Sequence, residues 1–363
     1  MKPREIALAT YRVTICPGAL AGVGEMVRAV APAHRYAIIT DRNVGPLYAA
    51  RARDALGTTS ATVFTVGAGE EHKTRDTWAS LTDQLLIAGF ARDTTVVALG
   101  GGVIGDLAGF VAATFMRGVP YVQVPTSLLA MIDASVGGKT AVDTPMGKNL
   151  VGAFHQPAAV LADTSLLATL PPAHLRAGLA EAIKHGVIAD AGYFEAVSQF
   201  AADLSTIDVA GAALLDLVTR SVEIKAGVVR RDEREAGVRK TLNFGHTIGH
   251  ALERCSGYAL LHGEAVAIGM VCESLLAERV GIAEDGTALR VRAAVRSAGL
   301  PHLRPASMAV DDVVSAARTD KKARGGHAEY ALPSRIGAMA AAEHGWSVPV
   351  DDAVTRQVLS ESA

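Results

Sequence analysis

A glycine-rich loop between a strand-like run and a helix-like run constrains the fold more than any other feature of this chain. The β-branched run Thr94–Leu99 leads directly into Gly100-Gly101-Gly102-Val103-Ile104-Gly105, and a helical pattern follows at Leu107–Ala113. Glycines let the backbone turn tightly and approach a pyrophosphate, and the N–H groups that open the helix bind the anion. The G-x-G-x-x-G spacing is a weak signal alone, but in this context it favours a Rossmann-like nucleotide-binding α/β domain.

The first half of the chain alternates strand-like and helix-like runs. Arg35–Thr40 and Tyr121–Val124 have the composition of buried strands, and Thr77–Ala88 lies between them with a helical pattern. This alternation predicts a parallel sheet with right-handed helical crossovers. At the start of the chain, Ile6–Ile15 followed by Pro17-Gly18 predicts strands with a tight turn.

The pattern changes near Pro171, where proline interrupts regular structure and helical periodicity becomes dominant. Helices are predicted at Leu175–Ala189, Ala212–Ala226, Phe244–Ser256 and Glu264–Val280. A brief return to strand is predicted at Glu329–Leu332. Because 363 residues suit two domains of about 100–200 residues each, we predict an α/β domain over residues 1–170 and a mainly helical domain over residues 171–363.

Composition narrows the class of protein. The net charge of −2 and the lack of a basic stripe argue against a nucleic-acid partner. No apolar run approaches the roughly 20 residues that span a bilayer, and the first residues lack a signal-peptide pattern. The three cysteines (Cys16, Cys255 and Cys272) are scattered, which favours a reducing compartment over a disulfide scaffold. A cytoplasmic protein is therefore predicted.

A pair of histidines four residues apart is the strongest candidate for chemistry. His246 and His250 share one face of a predicted helix, and His262 follows in a chain that has 11 histidines. Such a group predicts a divalent-metal site or an acid/base site. The alternative is a hydrogen-bonded pair, which is the commoner role of two histidines on a helix.

A carboxylate on an earlier helix is a possible partner for these imidazoles. Glu181 and Lys184 lie three residues apart among apolar neighbours. They form either a buried ion pair or part of a site, and an ordinary helical salt bridge is the better reading without context. A glutamate oxygen with two imidazoles is, however, a common catalytic zinc set.

Three cations lie in glycine-containing loops. They are Arg117 before Gly118, Lys139 after Gly137-Gly138, and Lys148 after Gly147. Together they suggest an anionic substrate that carries phosphate or carboxylate. Each one taken alone is better read as an ordinary surface cation. The stretch before Lys139 is not a P-loop, because aspartate stands at position 133 where the first glycine is required.

The acidic residue that usually follows the glycine loop by about 20 positions is missing. Asp41, at the end of the first strand, is a candidate ribose ligand instead, with a simple loop cap as the alternative. The run Glu70-Glu71-His72-Lys73 is a candidate contact on the adenosine side. A solvated charge run is the commoner reading of such a segment.

Several long motifs in fixed order make the chain resemble the 3-dehydroquinate synthase family of the sugar-phosphate cyclase superfamily. They are GGGVIGDLAGFVAATFMRGVPYVQVPTSLLAMIDASVGGKTAVDTPMGKNLVGAFHQP, LRAGLAEAIKHG, RKTLNFGHTIGHALE, LHGEAVAIGM and DKK. The resemblance implies an NAD- and zinc-dependent lyase, with cobalt as a possible metal, that forms a homodimer. It also implies an NAD-binding N-terminal domain and a helical metal- and substrate-binding C-terminal domain, with the active site in the cleft between them. The implied reaction converts 3-deoxy-D-arabino-heptulosonate 7-phosphate to 3-dehydroquinate and phosphate in the shikimate pathway, by transient oxidation, β-elimination, reduction and intramolecular aldol addition.

The resemblance further implies roles for single residues. The zinc ligands would be Glu181, His246 and His262, which leaves His250 as a base or phosphate partner. The residues implied to line NAD are Asp41, Glu70, Lys73, Gly101, Gly102, Asp106, Thr126, Ser127, Lys139, Lys148, Thr169 and Leu170. The residues implied to act on substrate are Arg117 (across a dimer interface), Asp133, Lys139, Lys148, Asn149, Lys184, Lys225, Glu235, Arg239, Asn243, His250 and one of Lys321 and Lys322.

Two positions depart from the family pattern, and rival functions stay open. His174 stands where glutamate is expected, and Asp143 stands in a loop where asparagine-histidine is frequent. Sister cyclases act on sedoheptulose 7-phosphate, glucose 6-phosphate or an amino analogue. Arg239 and Asn243 belong to the set expected to hold a substrate carboxylate, and their presence favours dehydroquinate synthase, although the amino-analogue enzyme keeps that carboxylate. A metal-dependent NAD alcohol dehydrogenase and a non-enzymatic NAD-sensing module are the remaining alternatives.

Overall fold

The structure is a computed structural model that describes residues 1–57, 60–202, 208–318, 328–340, 342 and 345–362. It divides into two compact units. The first contains Met1–Leu170 and Asp208–Ala226, and the second contains Pro171–Ile207 and Gly227–Ala363. The predicted boundary near Pro171 lies at the same place as this division. The segment Asp208–Ala226, which the sequence analysis places in the second domain, groups with the first unit.

The first unit is an α/β structure. Its strands are β1 (Arg4–Ala7), β2 (Arg12–Ile15), β3 (Arg35–Asp41), β4 (Ala61–Val66), β5 (Thr94–Gly100), β6 (Tyr121–Pro125), β7 (Lys139–Thr144), β8 (Gly147–Phe154) and β9 (Ala159–Ala162). Within the described residues, seven of them form one sheet in the order β1-β2-β9-β6-β5-β3-β4. All neighbours in it are parallel except the antiparallel pair β1 and β2, and β7 pairs with β8 in a separate hairpin. The predicted strands at Arg35, Thr94 and Tyr121 are confirmed.

Helices connect these strands and cover the sheet. They are α1 (Val23–Val30), α2 (Gly45–Leu56), α3 (Arg75–Ile87) and α4 (Gly102–Thr114). Every residue of β5 is buried, as its continuous β-branched run predicts. Its side chains join Leu81 and Leu85 of α3 and Leu107 of α4 in one hydrophobic core. Burial of this core stabilises the parallel sheet on which the glycine loop is placed.

The turn predicted at Pro17-Gly18 and the strands before it are confirmed, and the Ala19 N–H donates to the Cys16 carbonyl at 3.3 Å across this turn. The chain reverses between β1 and β2, where the Leu8 N–H donates to the Tyr11 carbonyl at 2.9 Å. Gly18 has a φ of 79° and precedes a short 3-10 helix. The Gly18 N–H donates to the carboxylate of Asp163 at 2.7 Å. The Pro-Gly pattern therefore predicts the turn, whereas its contact with a residue 145 positions away is a tertiary feature.

The second unit is mainly helical. Its helices, together with the one that the two units share, are α5 (Pro172–Ala189), α6 (Ala191–Ala201), α7 (Ala212–Arg231), α8 (His246–Cys255), α9 (His262–Arg279), α10 (Thr287–Ser297), α11 (Val310–Arg318) and α12 (Asp352–Glu361). Among the residues that the structure describes here, short strands accompany them at β10 (Glu329–Tyr330), β11 (Pro333–Arg335), β12 (Ala338–Met339) and β13 (Val348–Pro349). The four predicted helices are confirmed, and the predicted strand at Glu329 is shorter than expected. In the described part of the chain, no helix combines the length and apolar character that a membrane crossing requires.

Candidate active site

The glycine loop of the first unit has the strand–loop–helix context that the sequence predicts. β5 ends at Gly100, Gly101 caps α4, and α4 begins at Gly102. A Cβ atom added at Gly105 would lie 2.7 Å from the side-chain oxygen of Gln123. Gly105 therefore leaves room between α4 and β6 for the Gln123 side chain, which a Cβ atom would displace. The N–H groups of the first turn of α4 are left without partners inside the helix, which is the arrangement that binds a pyrophosphate.

The loop lies at a point where the strand order of the sheet reverses. β3 pairs with β4 on one side and with β5 on the other. In open α/β sheets, ligands bind at the carboxyl ends of two such strands. Asp41 ends β3, and its Oδ1 accepts the N–H groups of Asn43 and Val44 at 2.8 and 2.9 Å. The cap considered for Asp41 is therefore present, and its contact with a ribose stays a prediction.

Four further residues of the predicted NAD set also lie in this unit. The Thr126 N–H donates to the carbonyl of Gly100 at 2.9 Å, so the segment after β6 lies directly beside the glycine loop. Ser127 follows it in the chain. Thr169 ends a short 3-10 helix, and Leu170 caps that helix. The first two are thus placed at the loop, whereas a role for the last two rests on the family resemblance.

Lys73 is the centre of a buried charge network. Its Nζ lies 2.7 Å from a carboxylate oxygen of Asp106, 2.5 Å from Oδ1 of Asn149 and 3.4 Å from Glu70. Burial lowers the pKa of Lys73, but the carboxylates of Asp106, Glu70 and Asp143 outweigh it and raise the pKa above its ordinary value. Burial raises the pKa of Asp106, and Lys73 opposes that rise. Lys73 is accordingly charged, and the solvated charge run considered for this segment is wrong for this residue, which is 3% exposed.

Asp143, one of the two residues that depart from the family pattern, adjoins this network. Its N–H donates to the Lys73 carbonyl at 2.7 Å, and its Oδ1 accepts the Asn149 N–H at 2.8 Å. Burial raises the pKa of Asp143 to about 6, and the nearby Glu70 carboxylate adds to the rise. Lys73 and the Asn149 N–H oppose it. Asp143 is therefore a carboxyl group that holds its proton more strongly than usual.

The remaining cations predicted for this unit differ in their surroundings. Lys225 is buried, and its Nζ donates to the Asp133 carbonyl at 2.6 Å and also contacts the Asp133 carboxylate. Lys148 lies 3.8 Å from Glu70. Lys139 opens β7 and is exposed. Lys225 and Asp133 thus form a close and largely buried pair.

In the second unit, three predicted metal ligands come together. Oε1 of Glu181 lies 3.5 Å from Nε2 of His246 and 3.4 Å from Nε2 of His262. The other oxygen of Glu181 contacts the buried ammonium of Lys184. One potential ligand atom from each of Glu181, His246 and His262 falls within 4.8 Å of the others. The three residues come from α5, α8 and α9, so tertiary packing builds the cluster.

Close helix packing explains how these side chains converge. A Cβ at Gly263 would lie 2.1 Å from the Ala177 carbonyl, and a Cβ at Gly269 would lie 2.0 Å from the Gly245 carbonyl. Both glycines therefore let α9 approach α5 and α8 backbone to backbone. The buried Glu273 of α9 accepts the Gly245 N–H at 2.7 Å and a second N–H of the first turn of α8. This cap holds His246 at the start of α8.

The distances fit a divalent metal. Donors bound about 2.1 Å from a tetrahedral zinc ion lie about 3.4 Å from one another, which is close to the observed separations of 3.4 and 3.5 Å. Burial lowers the pKa of His262, but the carboxylates of Glu181 and Glu253 outweigh it and raise the pKa to about 10. The cluster thus favours added positive charge. One carboxylate and two imidazoles are also a common zinc donor set.

His250 takes a place beside this cluster. Its ring centroid lies 5.4 Å from that of His246 and 6.1 Å from that of His262. The two histidines four residues apart therefore do meet on one face of α8, as the spacing predicts. The carboxylate of Glu181, however, pairs with His246 and His262.

A loop after α7 organises the other predicted substrate residues of this unit. The carboxylate of Asp232 accepts the N–H groups of Gly237 and Arg239 at 2.7 and 3.0 Å, and the buried Arg239 guanidinium donates to a backbone carbonyl. The Asn243 side chain donates to Glu235 at 2.7 Å. Burial raises the pKa of Asp232, but these backbone hydrogen bonds lower it overall. Lys321 and Lys322 lie outside the described residues.

Three predicted site residues have a left-handed backbone. Arg117, Asn149 and Glu235 have φ values of 69°, 56° and 62°. They are three of six non-glycine residues with positive φ in the described segments. Such conformations cost about 1–3 kcal/mol for most residues and concentrate at functional sites. The strain is an indicator of function that the sequence cannot reveal.

Sequence reasoning missed several residues that support the site. Glu253 contacts His262, Glu273 caps α8, and Asp232 holds the Arg239 loop. Of these three residues, Glu253 is the one that the sequence could have indicated, because it follows His246 by seven residues and so lies on the same face of a helix. Glu273 and Asp232 look like ordinary helical acids in the sequence.

Known proteins match this chain over nearly its whole length. The family models for 3-dehydroquinate synthase, N-terminal and C-terminal, match residues 63–177 and 178–323. A 3-dehydroquinate synthase from Caulobacter vibrioides is 47% identical over 336 residues, which is 90% of each chain. A structure of 2-deoxy-scyllo-inosose synthase complexed with carbaglucose-6-phosphate, NAD+ and Co2+ is 26% identical over 100% of both chains, with a TM-score of 0.87. A 2-epi-5-epi-valiolone synthase from Streptomyces hygroscopicus with NAD+ and Zn2+ bound is 30% identical over 99% of both chains, also with a TM-score of 0.87. The chain therefore belongs to the 3-dehydroquinate synthase family.

Proposed function

We propose that the chain converts 3-deoxy-D-arabino-heptulosonate 7-phosphate to 3-dehydroquinate and phosphate, as a phosphorus–oxygen lyase of the shikimate pathway. The observation that carries this function is the cluster of Glu181, His246 and His262 in a chain that also has a dinucleotide loop. Relatives that bear this name and share 47% and 40% identity over most of the chain support it.

NAD would bind at the glycine loop of the first unit. Gly101 and Gly102 would admit the pyrophosphate, and Asp41 at the adjoining strand end would reach a ribose. When bound, NAD supplies a hydride acceptor that is regenerated within each turnover. Lys73 and Asp106, which form an ion pair with each other, would position the cofactor. The NAD+ in both sister-cyclase structures supports this assignment.

A divalent metal would be held by Glu181, His246 and His262. When bound, it supplies Lewis acidity toward a substrate hydroxyl. Zinc and cobalt both occur in the sister-cyclase structures, so either metal suits the donor set. Glu181 also contacts Lys184 through its other oxygen, which leaves Oε1 facing the imidazoles.

The cations of the chain would bind the two anionic ends of the substrate. The planar Arg239 guanidinium, held by its backbone contacts, suits a carboxylate, and Asn243 lies in the same segment. Lys139, Lys148 and Arg117 would hold the phosphate and stabilise the charge that develops as it leaves. Asp133, fixed by Lys225, would accept hydrogen bonds from substrate hydroxyls. His250 would act as a base or as a phosphate partner.

Phosphate release is the direct test of this function. Protein loaded with zinc and catalytic NAD should release phosphate from 3-deoxy-D-arabino-heptulosonate 7-phosphate and form 3-dehydroquinate without net NADH. Glucose 6-phosphate, sedoheptulose 7-phosphate and the amino analogue serve as competing substrates. Faster phosphate release from any of these would assign the chain to a sister activity. Stoichiometric NADH from a simple polyol would indicate an alcohol dehydrogenase instead.

We also propose a homodimer that uses the β7–β8 hairpin. Met146, Leu150 and Phe154 are 86%, 47% and 50% exposed on this hairpin, which is an unusual concentration of exposed apolar side chains. Light scattering after size exclusion should give twice the 37.6 kDa chain mass. Leu150→Asn with Phe154→Ser should give monomers, whereas Leu289→Ser, at another exposed leucine, should not. Monomeric wild-type protein would contradict the proposal.

We also propose that the protein is located in the cytoplasm. Cys16, Cys255 and Cys272 are all free thiols, as in a reducing compartment. Recovery of the native protein outside the cytoplasmic fraction of its cells would contradict this location.

A further inference from the structure

We propose that Glu253 is the positioning residue for His262 and that it sets the metal affinity of the cluster of Glu181, His246 and His262. Oε2 of Glu253 lies 3.3 Å from Nδ1 of His262. The opposite ring nitrogen, Nε2, lies 3.4 Å from Glu181. The imidazole therefore lies between two carboxylates, and the contact with Glu253 fixes which nitrogen faces the cluster. This inference rests on the metal site in the proposed function.

The two histidines of the cluster are oriented by different kinds of group. Nδ1 of His246 lies 3.0 Å from the backbone carbonyl of Phe244, whereas Nδ1 of His262 contacts a carboxylate. Both contacts leave Nε2 as the ligand atom. A carboxylate also makes the ring a stronger electron donor and adds negative charge near the cation, so it raises metal affinity more than a carbonyl does.

The location of Glu253 suits a fixed orienting group. Its side chain is 2% exposed, and it lies on α8, the helix that begins with His246. Seven residues correspond to two helical turns, so both side chains lie on one face of α8. The backbone carbonyl of Glu253 also accepts the Tyr258 N–H at 2.8 Å, which closes the end of the helix. α8 therefore supplies one ligand and also orients the ligand that α9 supplies.

Zinc binding to the metal-free full chain tests this role without measuring catalysis. Glu253→Gln keeps the size of the side chain but removes its charge. We expect its zinc affinity, measured by competition with a chromogenic chelator, to fall at least about tenfold, since removal of such partners costs about 10–100-fold. The visible absorption spectrum of bound Co2+ should also change, because the geometry at His262 is altered.

Glu264→Gln is the matched control. This carboxylate lies two residues from His262 but accepts the Leu261 N–H at 3.0 Å, at the start of α9. It should retain wild-type zinc affinity and the wild-type Co2+ spectrum. If Glu253→Gln fails to fold, Glu253→Asp replaces it, with the same expected loss because the shorter side chain withdraws from Nδ1.

The outcomes separate this inference from the proposed function. A tenfold or greater loss for the Glu253 variant alone supports the positioning role. A smaller loss, or an equal loss in Glu264→Gln, overturns it while the metal site stands. Wild-type protein that binds no zinc overturns the metal site and this inference together.

Discussion

The buried cluster around Lys73 in the first unit and the carboxylate–imidazole cluster around Glu181 in the second differ in the spacing of their atoms. In the first unit, the Lys73 ammonium lies 2.7 Å from Asp106 and 2.5 Å from Asn149, which are hydrogen-bond contacts. In the second unit, Glu181 lies 3.4 and 3.5 Å from two imidazole nitrogens. Both clusters combine carboxylates with nitrogen groups, so the composition of the clusters does not explain the difference.

The difference in spacing distinguishes a complete ion-pair network from a candidate metal site. Around Lys73 the protein supplies its own cation, and the short contacts complete the network. Around Glu181 one oxygen contacts the Lys184 ammonium, and the other lies at distances from the two imidazoles that match the spacing of donors about a metal. The spacing of atoms in the folded chain therefore separates an ion pair from a candidate metal site. The sequence alone does not, because both contain the same types of residue.

Removal of the Glu181 charge should have the largest effect. Glu181→Gln keeps an oxygen for Lys184 but loses an ionic metal ligand. We expect zinc binding to be lost and phosphate release to fall about 10³–10⁴-fold, because Lewis-acid stabilisation of several kcal/mol disappears. Metal analysis and a phosphate-release assay measure the two effects. Full zinc content with unchanged turnover would show that this carboxylate is not part of a metal site.

Removal of the Lys73 charge should lower the stability of the protein. Lys73→Met leaves the carboxylates of Glu70, Asp106 and Asp143 without their buried cation. Loss of one partner in a buried pair costs about 3–5 kcal/mol, which urea denaturation would detect as a lower midpoint. Zinc binding should be unaffected.

A double variant tests whether the Lys73–Asp106 pair accounts for this loss of stability. Lys73→Met combined with Asp106→Leu removes both members of the closest pair, and apolar replacement of such a pair is often neutral. Most of the lost stability should therefore return. If the double variant is less stable than the single one, the network is held together by other contacts than this pair.

The comparison also shows what the sequence can and cannot predict. β5 and the glycine loop were predictable because their signals are local: a β-branched run, glycine spacing and a following helix. The histidine spacing correctly placed His246 and His250 on one face, yet the carboxylate of Glu181 meets His262. That pairing depends on the close approach of α9 to α5 at Gly263, which is a tertiary contact.

The same limit applies to the residues that support the site. The start of α8 was predicted at Phe244 but lies at His246, because Gly245 is left-handed and Glu273 caps the helix from α9. Glu253 was missed for the same reason, since its partner belongs to another helix. Donor chemistry alone suggested that Glu181 could join two imidazoles, but only the family resemblance selected His246 and His262 as those two.

Asp143→Asn should produce a smaller effect that depends on pH. The pKa of Asp143 is raised from 3.8 to about 6 in the folded chain, so the folded state holds more protons than the unfolded state between these values. Stability from this group is therefore complete below pH 4 and is lost as pH rises through 6. Asparagine keeps the acceptor for the Asn149 N–H without the charge. The variant should gain roughly 1 kcal/mol at pH 7, after allowance for the partial exposure of Asp143.

Thermal unfolding of both proteins from pH 4 to pH 7 checks this prediction. The difference in melting temperature should grow with pH and level off above pH 6. A constant difference across this range would mean that Asp143 titrates normally and that the Glu70 carboxylate does not affect it.

Lys148→Met should have the smallest effect on stability and defines the limit of the Lys73 comparison. Its Nζ lies 3.8 Å from Glu70, and the two side chains are 23% and 36% exposed. Solvent-exposed pairs contribute about 0–1 kcal/mol because water screens the attraction. Urea denaturation should therefore give a midpoint close to wild type, and 1 M salt should remove any residual difference. A loss as large as that of Lys73→Met would mean that burial of the ammonium does not determine how much these ion pairs contribute to stability. The difference between the two clusters would then be a difference in total charge.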